Sequence, residues 1–294
     1  MSKKTNIFGA QSTAEEVTEG LDLQGTNWLI TGFNSGLGYE TARVFASKGA
    51  HIIGSARTRE KATNSFASLQ HEGTPVVCEL SDLDSVRSCI QEVKKSGLKL
   101  DGIIANAGVM ALPELQQKHD IELQFFTNHI GHFLLVTELL EQLKEQGRVV
   151  ILSSGAHRMA SRGIELDNIS GEKDYEPWRM YGRSKLANIL FANSLSKRFR
   201  ESGSQQTANS LHPGVIETNL TRHLPGRTFP EGWTNKTVEQ GAATQCYVAA
   251  HPDLAGVSGK YFSDCQESKT RSFAQDDNAA EQLWRLSEEI VAKW

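Results

Sequence analysis

A tyrosine and a lysine four residues apart are the clearest chemical pair in this sequence. They are Tyr181 and Lys185. On a helix, side chains at this spacing lie on one face, with the lysine one turn further along. A tyrosine with a pKa of about 10 exchanges protons poorly at neutral pH, and a nearby ammonium favours the phenolate and lowers that pKa. Tyr181 could therefore protonate a carbonyl oxygen or deprotonate an alcohol, although ordinary amphipathic helices also produce such pairs by chance.

A glycine-rich turn lies near the start of the chain, between an apolar run and a helical pattern. The apolar run covers residues 28–30 and the turn covers residues 31–38, which read TGFNSGLG. Glycine lets the backbone approach a phosphate, and the first N–H groups and the positive end of a helix dipole favour an anion. The turn predicts a diphosphate site, although turns and helix ends also use glycine for steric reasons alone.

Short apolar strands alternate with amphipathic helices from residue 25 onwards. The predicted strands are 28–30, 51–56, 75–80, 101–105, 148–153, 207–211 and 259–262, and the predicted helices are 41–48, 83–95, 121–145, 181–200, 237–250 and 279–292. This alternation predicts an α/β fold, with a single doubly wound, Rossmann-type parallel sheet of about seven strands and helices on both faces. Ligands of such sheets bind beyond the carboxyl ends of the strands, where the glycine-rich turn lies.

Residues 1–24 precede this alternation and are interpreted as an N-terminal arm packed on a domain of residues 25–294. Ser12 and Glu15 have the spacing of a capping box, which predicts a short helix through Gly20. The first residues lead into a polar segment without an apolar core, so no secretory signal is predicted.

The residue that follows the second strand indicates which dinucleotide binds. An acidic residue there binds the adenosine ribose hydroxyls, whereas a basic residue accommodates a 2′-phosphate. Arg57 occupies this position, and the first acid, Glu60, comes later. Arg57 is therefore a candidate for a bidentate contact with the 2′-phosphate, and Asn34 could help on the phosphate side. This favours NADP over NAD, with a merely solvated arginine as the alternative.

Composition excludes several classes of protein. The net charge of −4 shows no basic excess, so a nucleic-acid partner is not predicted. No stretch approaches the roughly 20 apolar residues of a membrane span. The four cysteines are scattered without metal-ligand spacing or a disulfide framework, and His129 and His132 are interpreted as structural, so no metal site is predicted. These features predict an intracellular, cytoplasmic protein.

Further motifs extend the glycine-rich turn and the tyrosine–lysine pair. Residues 106–108 read Asn-Ala-Gly, residues 153–154 are a serine pair, and residues 213–214 read Pro-Gly. In this combination the chain resembles the short-chain dehydrogenase/reductase family over residues 25–294. Residues 128–133, 212–215 and 258–265 resemble its retinol-dehydrogenase-like branch, which includes the oxidoreductase domain of the WW-domain oxidoreductase and plant chloroplast relatives. Residues 12–18 look like the arm of the plant relatives.

The resemblance implies a catalytic role for four residues. Tyr181 would be the general acid/base, and Lys185 would lower its pKa and bind the nicotinamide ribose. Ser154 would hold the substrate oxygen, and Asn128 would support a water in a proton relay to Lys185. The implied reaction is ordered hydride transfer between the nicotinamide of NADP(H) and an alcohol or carbonyl carbon.

The same resemblance implies a set of cofactor-binding residues. Asn106 and Gly108 would lie under the adenosine ribose, and Thr218 would hold the carboxamide or the diphosphate. The complete expected set is Gly32, Asn34, Ser35, Gly36, Leu37, Gly38, Arg57, Glu79, Leu80, Asn106, Ala107, Gly108, Tyr181, Lys185, Pro213, Gly214, Val215 and Thr218. Two positions depart from the family pattern: Ala105 replaces a usual asparagine, and Glu79 stands where an aspartate usually meets the adenine amine.

Two long segments after strand ends are interpreted as substrate lids. They cover residues 155–180 and 216–237 and carry apolar and aromatic side chains. Such lids suit a bulky lipophilic alcohol, ketone or aldehyde. His157, Trp178 and Trp233 are candidates for the substrate pocket, although loop aromatics also pack simply on the body of a protein.

The predicted function is therefore an NADP(H)-dependent oxidoreductase acting on CH–OH or C=O groups. One alternative is an NADP-binding sensor or interaction protein, which would be expected to carry a damaged Ser–Tyr–Lys set. Another is a reductase of carbon–carbon double bonds, against which Ser154 argues. In the family, the helices corresponding to residues 121–145 and 181–200 often form a dimer contact, so a homodimer is a further expectation.

Overall fold

Strands and helices alternate through the chain, as the sequence pattern predicts. The computed structural model describes residues 8–294 apart from 225, 227, 231 and 234. The strands are β1 Asn27–Thr31, β2 His51–Ala56, β3 Thr74–Val77, β4 Leu100–Ala105, β5 Gln117–Lys118, β6 Ile121–Glu122, β7 Leu143–Leu152, β8 Thr207–His212, β9 Tyr261–Ser263 and β10 Gln266–Glu267. The α-helices are α1 Ala14–Val17, α2 Gly36–Ser47, α3 Arg59–Leu69, α4 Leu83–Lys95, α5 Leu123–Phe125, α6 Gly131–Glu138, α7 Pro177–Glu201, α8 Val238–Ala250 and α9 Asp277–Lys293.

One large sheet organises the described part of the chain. Its strand order is β10-β9-β8-β7-β4-β1-β2-β3, with parallel pairing everywhere except between β9 and β10. The chain builds outward from β1 to β3 and then crosses back to place β4 on the other side of β1. This reversal opens a crevice at the carboxyl ends of β1 and β4. The doubly wound sheet is confirmed, and the two-residue antiparallel edge strand β10 is an addition to the prediction.

Two apolar clusters cover the two faces of this sheet. One cluster contains buried side chains of α4, α6, α7 and α9, and the other contains those of α1, α2, α3 and α8. The neighbouring residues Leu29 and Ile30 of β1 belong to different clusters, as the alternation of side chains along a strand requires. Helices therefore lie on both faces, as predicted.

The predicted continuous helix over residues 121–145 is wrong. Residues 121–122 form β6, which pairs with β5, and the α-helical part ends with α6 at Glu138, before the 3₁₀ helix Leu140–Gln142. A π-helical turn, Phe126–Ile130, joins α5 to α6. Leu143 is buried and pairs with Leu100 at the start of β7. Leu143 therefore belongs to the sheet, although its spacing from the preceding leucines is typical of the apolar face of a helix.

Helix α3 is missing from the sequence-based prediction. Thr58 caps it by accepting a hydrogen bond from the Lys61 N–H, and Ala62, Phe66 and Leu69 bury its inner face. Other boundaries also move. Helix α2 begins inside the glycine-rich turn, β3 ends at residue 77 rather than 80, and α7 begins at Pro177 because the Glu176 carboxylate accepts from the first N–H groups of that helix. The first lid therefore ends at residue 176 rather than 180.

The arm packs on α2 and α8, although residues 1–7 of the predicted arm lie outside the described residues. Ala14 and Val17 are buried in the cluster on that face of the sheet. The capping box of α1 is formed by Thr13 and Glu16, one residue after the predicted pair. Glu15 also reaches Arg43 of α2 at 2.9 Å. The arm is therefore an integral layer on this face.

The last helix covers the surface that was predicted to form a dimer. Trp284 of α9 packs against Phe133 of α6 and Phe191 of α7, with ring centroids 5.0 and 5.8 Å apart, and the Arg198 guanidinium lies 3.7 Å from its ring centroid. Every residue of α7 from 180 to 192 is buried. Helix α9 therefore lies on this surface, and the homodimer stays a prediction.

Among the described helices, none is both long enough and apolar enough to cross a membrane.

Candidate active site

A cavity of about 650 Å³ lies over the carboxyl ends of β1 and β4, where the strand order reverses. Its size falls within the range of roughly 300–1,000 Å³ that small-molecule and cofactor sites occupy. The predicted site residues that line it are Gly32, Asn34, Ser35, Gly36, Leu37, Arg57, Glu79, Leu80, Asn106, Ala107, Gly108, Tyr181, Lys185, Pro213 and Thr218. The cavity therefore joins most of the predicted cofactor residues to the predicted acid/base.

The glycine-rich turn is packed so closely that side chains would not fit. A Cβ atom at Gly38 would lie 2.5 Å from the Gly32 carbonyl oxygen and 2.6 Å from Asn106 Nδ2. Gly36 has a φ of +56°, and a Cβ there would lie 3.2 Å from the Thr218 side chain. These glycines bring the N-terminus of α2 to the cavity wall without intervening side chains, as a diphosphate contact requires.

A buried hydrogen-bond network joins the end of β1 to the end of β4. Thr31 Oγ1 accepts from the N–H groups of Asn106 and Ala107 at 2.9 and 3.0 Å. His132 Nε2 lies 2.9 Å from the same oxygen, and His132 Nδ1 lies 3.0 Å from the Asn128 carbonyl oxygen. Because a carbonyl only accepts, Nδ1 carries the proton.

The His132 ring is neutral, because burial lowers its pKa to about 4. Its Nε2 therefore accepts a hydrogen bond from the Thr31 hydroxyl. His132 is structural, as the sequence analysis interpreted it. The sequence did not reveal that it links the cofactor turn to Asn128.

Asn128 lies on the π-helical turn, a type of irregularity that is common at functional sites. Its Oδ1 accepts from the Val109 N–H at 2.8 Å, and its Nδ2 donates to the Val109 carbonyl and to Ser184 Oγ, both at 2.9 Å. The side chain thereby ties the segment after β4 to α7. A Cβ at Gly108 would lie 3.0 Å from Asn128 Oδ1 and 3.5 Å from Lys185 Nζ. Both side chains thus border Gly108, and the water relay stays a prediction.

Lys185 is buried with its ammonium beside the end of β7. Its Nζ donates to the Leu152 carbonyl at 3.2 Å and lies 5.6 Å from the centre of the Tyr181 ring. Burial lowers the pKa of Lys185 to about 8. The Ser153 hydroxyl donates to the Lys185 carbonyl at 2.7 Å, which fixes the turn of α7 that carries this lysine against β7.

The pKa of Tyr181 moves in the direction opposite to the prediction. Burial raises it to about 12, and a hydrogen bond with Ser154 lowers it by a smaller amount. The physical reason is burial, which disfavours the phenolate more than the hydrogen bond with Ser154 favours it. Lys185 is not among the groups that shift this pKa, so a lowering by its ammonium stays a prediction.

The two adjacent serines have different hydrogen-bond partners. Ser154 Oγ accepts from the Ala156 N–H at 3.1 Å, capping the 3₁₀ helix Gly155–Met159, and hydrogen-bonds Tyr181. The Ser153 hydroxyl already donates to Lys185. Ser154 is therefore the serine that contacts the tyrosine, whereas Ser153 is the one that lines the cavity, and the catalytic role of Ser154 stays a prediction.

The adenosine end of the cavity contains basic residues from several elements. Arg57 follows β2, and its side chain is exposed. The Glu79 carboxylate accepts from the Ser81 N–H at 3.2 Å and from its hydroxyl at 2.8 Å. Lys61 of α3 and Arg222 also line this end, and the sequence analysis missed both. Lys61 was missed because α3 was not predicted, and Arg222 because it lies in a lid considered for its apolar residues.

Three predicted cofactor residues do not line the cavity. Gly38 lies behind the wall, where it supports the turn. Gly214 and Val215 follow Pro213 away from the cavity. Gly214 has a φ of +112°, which glycine adopts without strain, and a Cβ there would lie 2.6 Å from Lys236 Cδ. These residues therefore shape the site without contacting its interior.

The substrate-pocket candidates also lie off the cavity wall. His157 is buried against Tyr261, with ring centroids 5.3 Å apart, and its Nδ1 donates to the Ser154 carbonyl at 2.7 Å. Trp233 is 50% exposed. Trp178 packs beside Tyr181, with ring centroids 6.2 Å apart. Trp178 therefore contacts Tyr181 without lining the cavity, and His157 and Trp233 do not line it either.

The wall beside Tyr181 is nevertheless apolar. Met110, Ala111 and Leu224 form a buried cluster with this tyrosine. The apolar residues that line the cavity near this cluster are Val109, Leu112, Leu123 and Leu220. They come from the segment after β4, from α5 and from the second lid. The apolar wall was expected in the lids alone, and the contribution of residues 109–112 was not predicted.

Comparisons with known proteins agree with this geometry. The family described as short chain dehydrogenase matches residues 26–227. The chain is 42% identical to short-chain dehydrogenase TIC 32 B, chloroplastic, of Brassica napus, over 97% of this chain and 94% of that protein. It is 37% identical to human retinol dehydrogenase 14, over 92% and 87% of the two chains. The chain therefore belongs to the short-chain dehydrogenase/reductase family.

A solved structure supports the fold independently. A short chain dehydrogenase from Burkholderia cenocepacia J2315, determined in complex with NADP, matches 82% of this chain and 97% of its own, with a TM-score of 0.66 and 20% sequence identity. At this identity the likeness concerns the fold.

Proposed function

We propose that the protein is an NADP(H)-dependent oxidoreductase that interconverts an alcohol and a carbonyl group on a lipophilic small molecule. The observation that carries this proposal is the placement of Tyr181 and Lys185 in the same cavity as the glycine-rich turn, with Ser154 hydrogen-bonded to Tyr181 behind the cavity lining. Membership of the family supports the oxidoreductase class. The reaction would be ordered, with the dinucleotide bound before the substrate.

The residues present fit a dinucleotide. The close contacts at Gly38 and the positive φ of Gly36 make a backbone cradle for a diphosphate. Asn106 and Gly108 line the floor beyond it, where the ribose would lie. Arg57 at the adenosine end favours a 2′-phosphate, and the structural neighbour from Burkholderia carries NADP. When bound, the nicotinamide would supply or accept the hydride.

In reduction, Tyr181 would donate its phenolic proton to the substrate oxygen as negative charge develops there. Ser154 would donate a second hydrogen bond to the same oxygen, as its existing contact with Tyr181 allows. In oxidation, the same tyrosine would take the proton back. Burial keeps Tyr181 protonated at neutral pH, with a pKa of about 12, so the chain alone favours the donor state.

Lys185 would hold the ribose and balance the charge on Tyr181 during turnover. Its ammonium uses one N–H on the Leu152 carbonyl and lies 5.6 Å from the tyrosine ring centre. Asn128 would position a water between itself and this ammonium, since both side chains border Gly108. That water would carry the proton that Tyr181 exchanges with the solvent.

An apolar substrate is favoured by the wall around Tyr181. Val109, Leu112 and Leu220 line that end of the cavity, and Met110 and Leu224 pack behind it. Apolar walls with few polar groups select by shape and by burial of hydrocarbon. The proposed lids are residues 155–176 and 216–237, of which 225, 227, 231 and 234 lie outside the described residues.

The proposal is tested by a screen of NADPH oxidation across lipophilic ketones and aldehydes, with NADP⁺ and the matching alcohols in the reverse direction. We expect turnover with at least one carbonyl substrate, and a kcat at least about 100-fold lower after Tyr181→Phe. Selective reduction of an enone double bond would favour the alternative reaction. Tight NADPH binding without turnover of any substrate would favour a cofactor-sensing protein.

A cytoplasmic location also stays a prediction. The name of the Brassica relative places that protein in the chloroplast, so a fluorescent fusion of the full chain in its own cells is the appropriate test. Fluorescence confined to an organelle would contradict the prediction.

A further inference from the structure

Three basic side chains from separate elements meet at the adenosine end of the cavity. Arg57 follows β2, Lys61 lies in the first turn of α3, and Arg222 lies on the 3₁₀ helix Asn219–His223 of the second lid. Glu79 is the acidic residue that lines the same end. This end of the cavity therefore carries an excess of positive charge, although the net charge of the chain is −4.

Arg222 and Arg57 lie close enough to interact. Burial lowers the pKa of Arg222, the positive charge of Arg57 lowers it further, and the negative charge of Glu79 raises it. Glu79 already accepts two hydrogen bonds from Ser81. Two guanidinium groups that line one cavity with a single, already hydrogen-bonded carboxylate are an arrangement that a dianionic ligand would stabilise.

The hydrogen-bonding capacity of these side chains is largely unused. Arg222 donates from Nη1 to the Asn219 carbonyl at 2.9 Å. Within the described chain, no residue accepts a hydrogen bond from the side chain of Arg57 or Lys61. By contrast, Arg59, two residues after Arg57, has both carboxylate oxygens of Glu92 at 2.9 Å. The arginines that face the cavity thus keep N–H groups available for a ligand.

The lid that carries Arg222 is anchored at the diphosphate end of the site. Thr218 caps its 3₁₀ helix by accepting from the Leu220 N–H at 3.2 Å, and the Thr218 side chain lies against Gly36. Arg222 follows four residues later, at the other end of this helix. The helix therefore runs along the cavity from the glycine-rich turn toward Arg57.

We propose that Arg222 is a second arginine for the 2′-phosphate of NADP(H), which it would clamp from the lid while Arg57 binds it from the sheet. This inference rests on the proposed function, because it takes NADP(H) as the ligand. The second lid would then contact the cofactor as well as cover the substrate. A dinucleotide that lacks the 2′-phosphate leaves the lid without this contact.

The test compares binding of NADPH, NADH, adenosine 2′,5′-bisphosphate and ADP by calorimetry at low salt, without turnover. Arg222→Gln should weaken the binding of NADPH and of the bisphosphate by roughly 10- to 100-fold, the range expected for the loss of a hydrogen bond to a charged group. NADH and ADP should change by less than about twofold. The NADPH affinity of Arg222→Lys should lie between those of Arg222→Gln and the wild type, because lysine keeps the positive charge but lacks the paired N–H donors of a guanidinium. Arg285→Gln is the control, since it removes the same charge from an exposed residue of α9.

Two outcomes would overturn the inference alone. Equal weakening of NADPH and NADH would assign Arg222 to the diphosphate, and unchanged NADPH binding would remove it from the site. If the wild-type protein binds the bisphosphate no better than ADP, the proposed NADP preference itself fails, and this inference fails with it. Comparing the wild type with Arg222→Gln therefore separates the two failures.

Discussion

The two ends of the cavity differ in how their charged and polar groups are held. At the catalytic end, Lys185 is 4% exposed, Tyr181 is 4% exposed, and Asn128 is fully buried with its side-chain oxygen and nitrogen both hydrogen-bonded. At the adenosine end, Arg57 and Lys61 are exposed, and their side chains donate to no described residue. One end is organised by the protein interior, and the other presents groups to solvent.

This difference separates two tasks. Proton transfer requires groups that are already in place when charge develops, and the buried side chains on the π-helical turn and on α7 meet that need. Recognition of a phosphate can use flexible cations that become ordered on binding, because each charge-assisted hydrogen bond forms at that moment. Changes at the catalytic end should therefore affect the rate, and changes at the adenosine end should affect which cofactor binds.

A large loss of rate is expected from Ser154→Ala. It removes a hydrogen-bond donor at the position where the substrate oxygen would develop charge, so kcat should fall by about 100-fold or more, while NADPH affinity stays unchanged. Steady-state kinetics and a fluorescence titration of NADPH measure the two quantities. Ser153→Ala is the matched control, because that hydroxyl donates to the Lys185 carbonyl. A larger loss of kcat from Ser153→Ala than from Ser154→Ala would reverse the assignment of the two serines.

Arg57→Asp should change the choice of cofactor. A carboxylate would repel the 2′-phosphate and could accept from the ribose hydroxyls, so the ratio of kcat/KM for NADPH to that for NADH should fall by about 10- to 100-fold. Arg59→Asp serves as the control, since Arg59 is paired with Glu92 outside the cavity. An unchanged ratio would contradict the role of Arg57.

Lys185→Met should stabilise the fold while abolishing turnover. Burial lowers the pKa of Lys185 to about 8, compared with about 10.4 in an unfolded chain. Below pH 8 the ammonium is charged in both states, so its burial destabilises the folded state fully. Between pH 8 and about pH 10.4 the folded protein loses this proton before the unfolded chain does, so the free energy of unfolding should rise with pH. The variant should lose this slope and gain about 1–3 kcal/mol at pH 7. The substitution does not leave the Leu152 carbonyl unpaired, because Asn188 Nδ2 also donates to it at 2.8 Å.

Urea unfolding at several pH values measures this effect. Lys197→Met is the control, since Lys197 is exposed on the same helix. Destabilisation at pH 7, or a slope that persists in Lys185→Met, would show that the ammonium is not held as a buried charge.

The smallest effects are expected at the two tryptophans near the substrate end. Trp178→Ala should change relative kcat/KM across a panel of lipophilic carbonyls by a few-fold, because Trp178 packs against Tyr181 and Phe229. Trp233→Ala should leave the panel unchanged, because Trp233 is 50% exposed and lies off the cavity wall. Equal effects from both variants would restore Trp233 to the substrate pocket.

The sequence predicted the parts of the structure that depend on local pattern. The glycine-rich turn, the strand–helix alternation and the Tyr181–Lys185 spacing each follow from residues close together in the chain. The end of the helix predicted over residues 121–145 was wrong for the opposite reason. Leu143 belongs to β7 because it pairs with Leu100, which is distant in the sequence and therefore absent from the local pattern.

The site was less predictable where it depends on tertiary contacts. The pKa of Tyr181 is set by burial, which spacing alone does not reveal. The hydrogen bond between His132 and Thr31 joins residues that lie 101 positions apart in the sequence. Arg222 and Arg57 line the same cavity although they come from distant parts of the sequence.

The most direct test of the account measures NADPH affinity and turnover for Tyr181→Phe on the same preparation. Phenylalanine keeps the ring that packs against Trp178 and removes the proton donor. We predict an NADPH Kd within about twofold of the wild type and a kcat that is lower by roughly 100- to 10,000-fold, as expected for loss of a general acid. Retained turnover, or a loss of NADPH binding that matches the loss of rate, would contradict the role of Tyr181 as the acid/base.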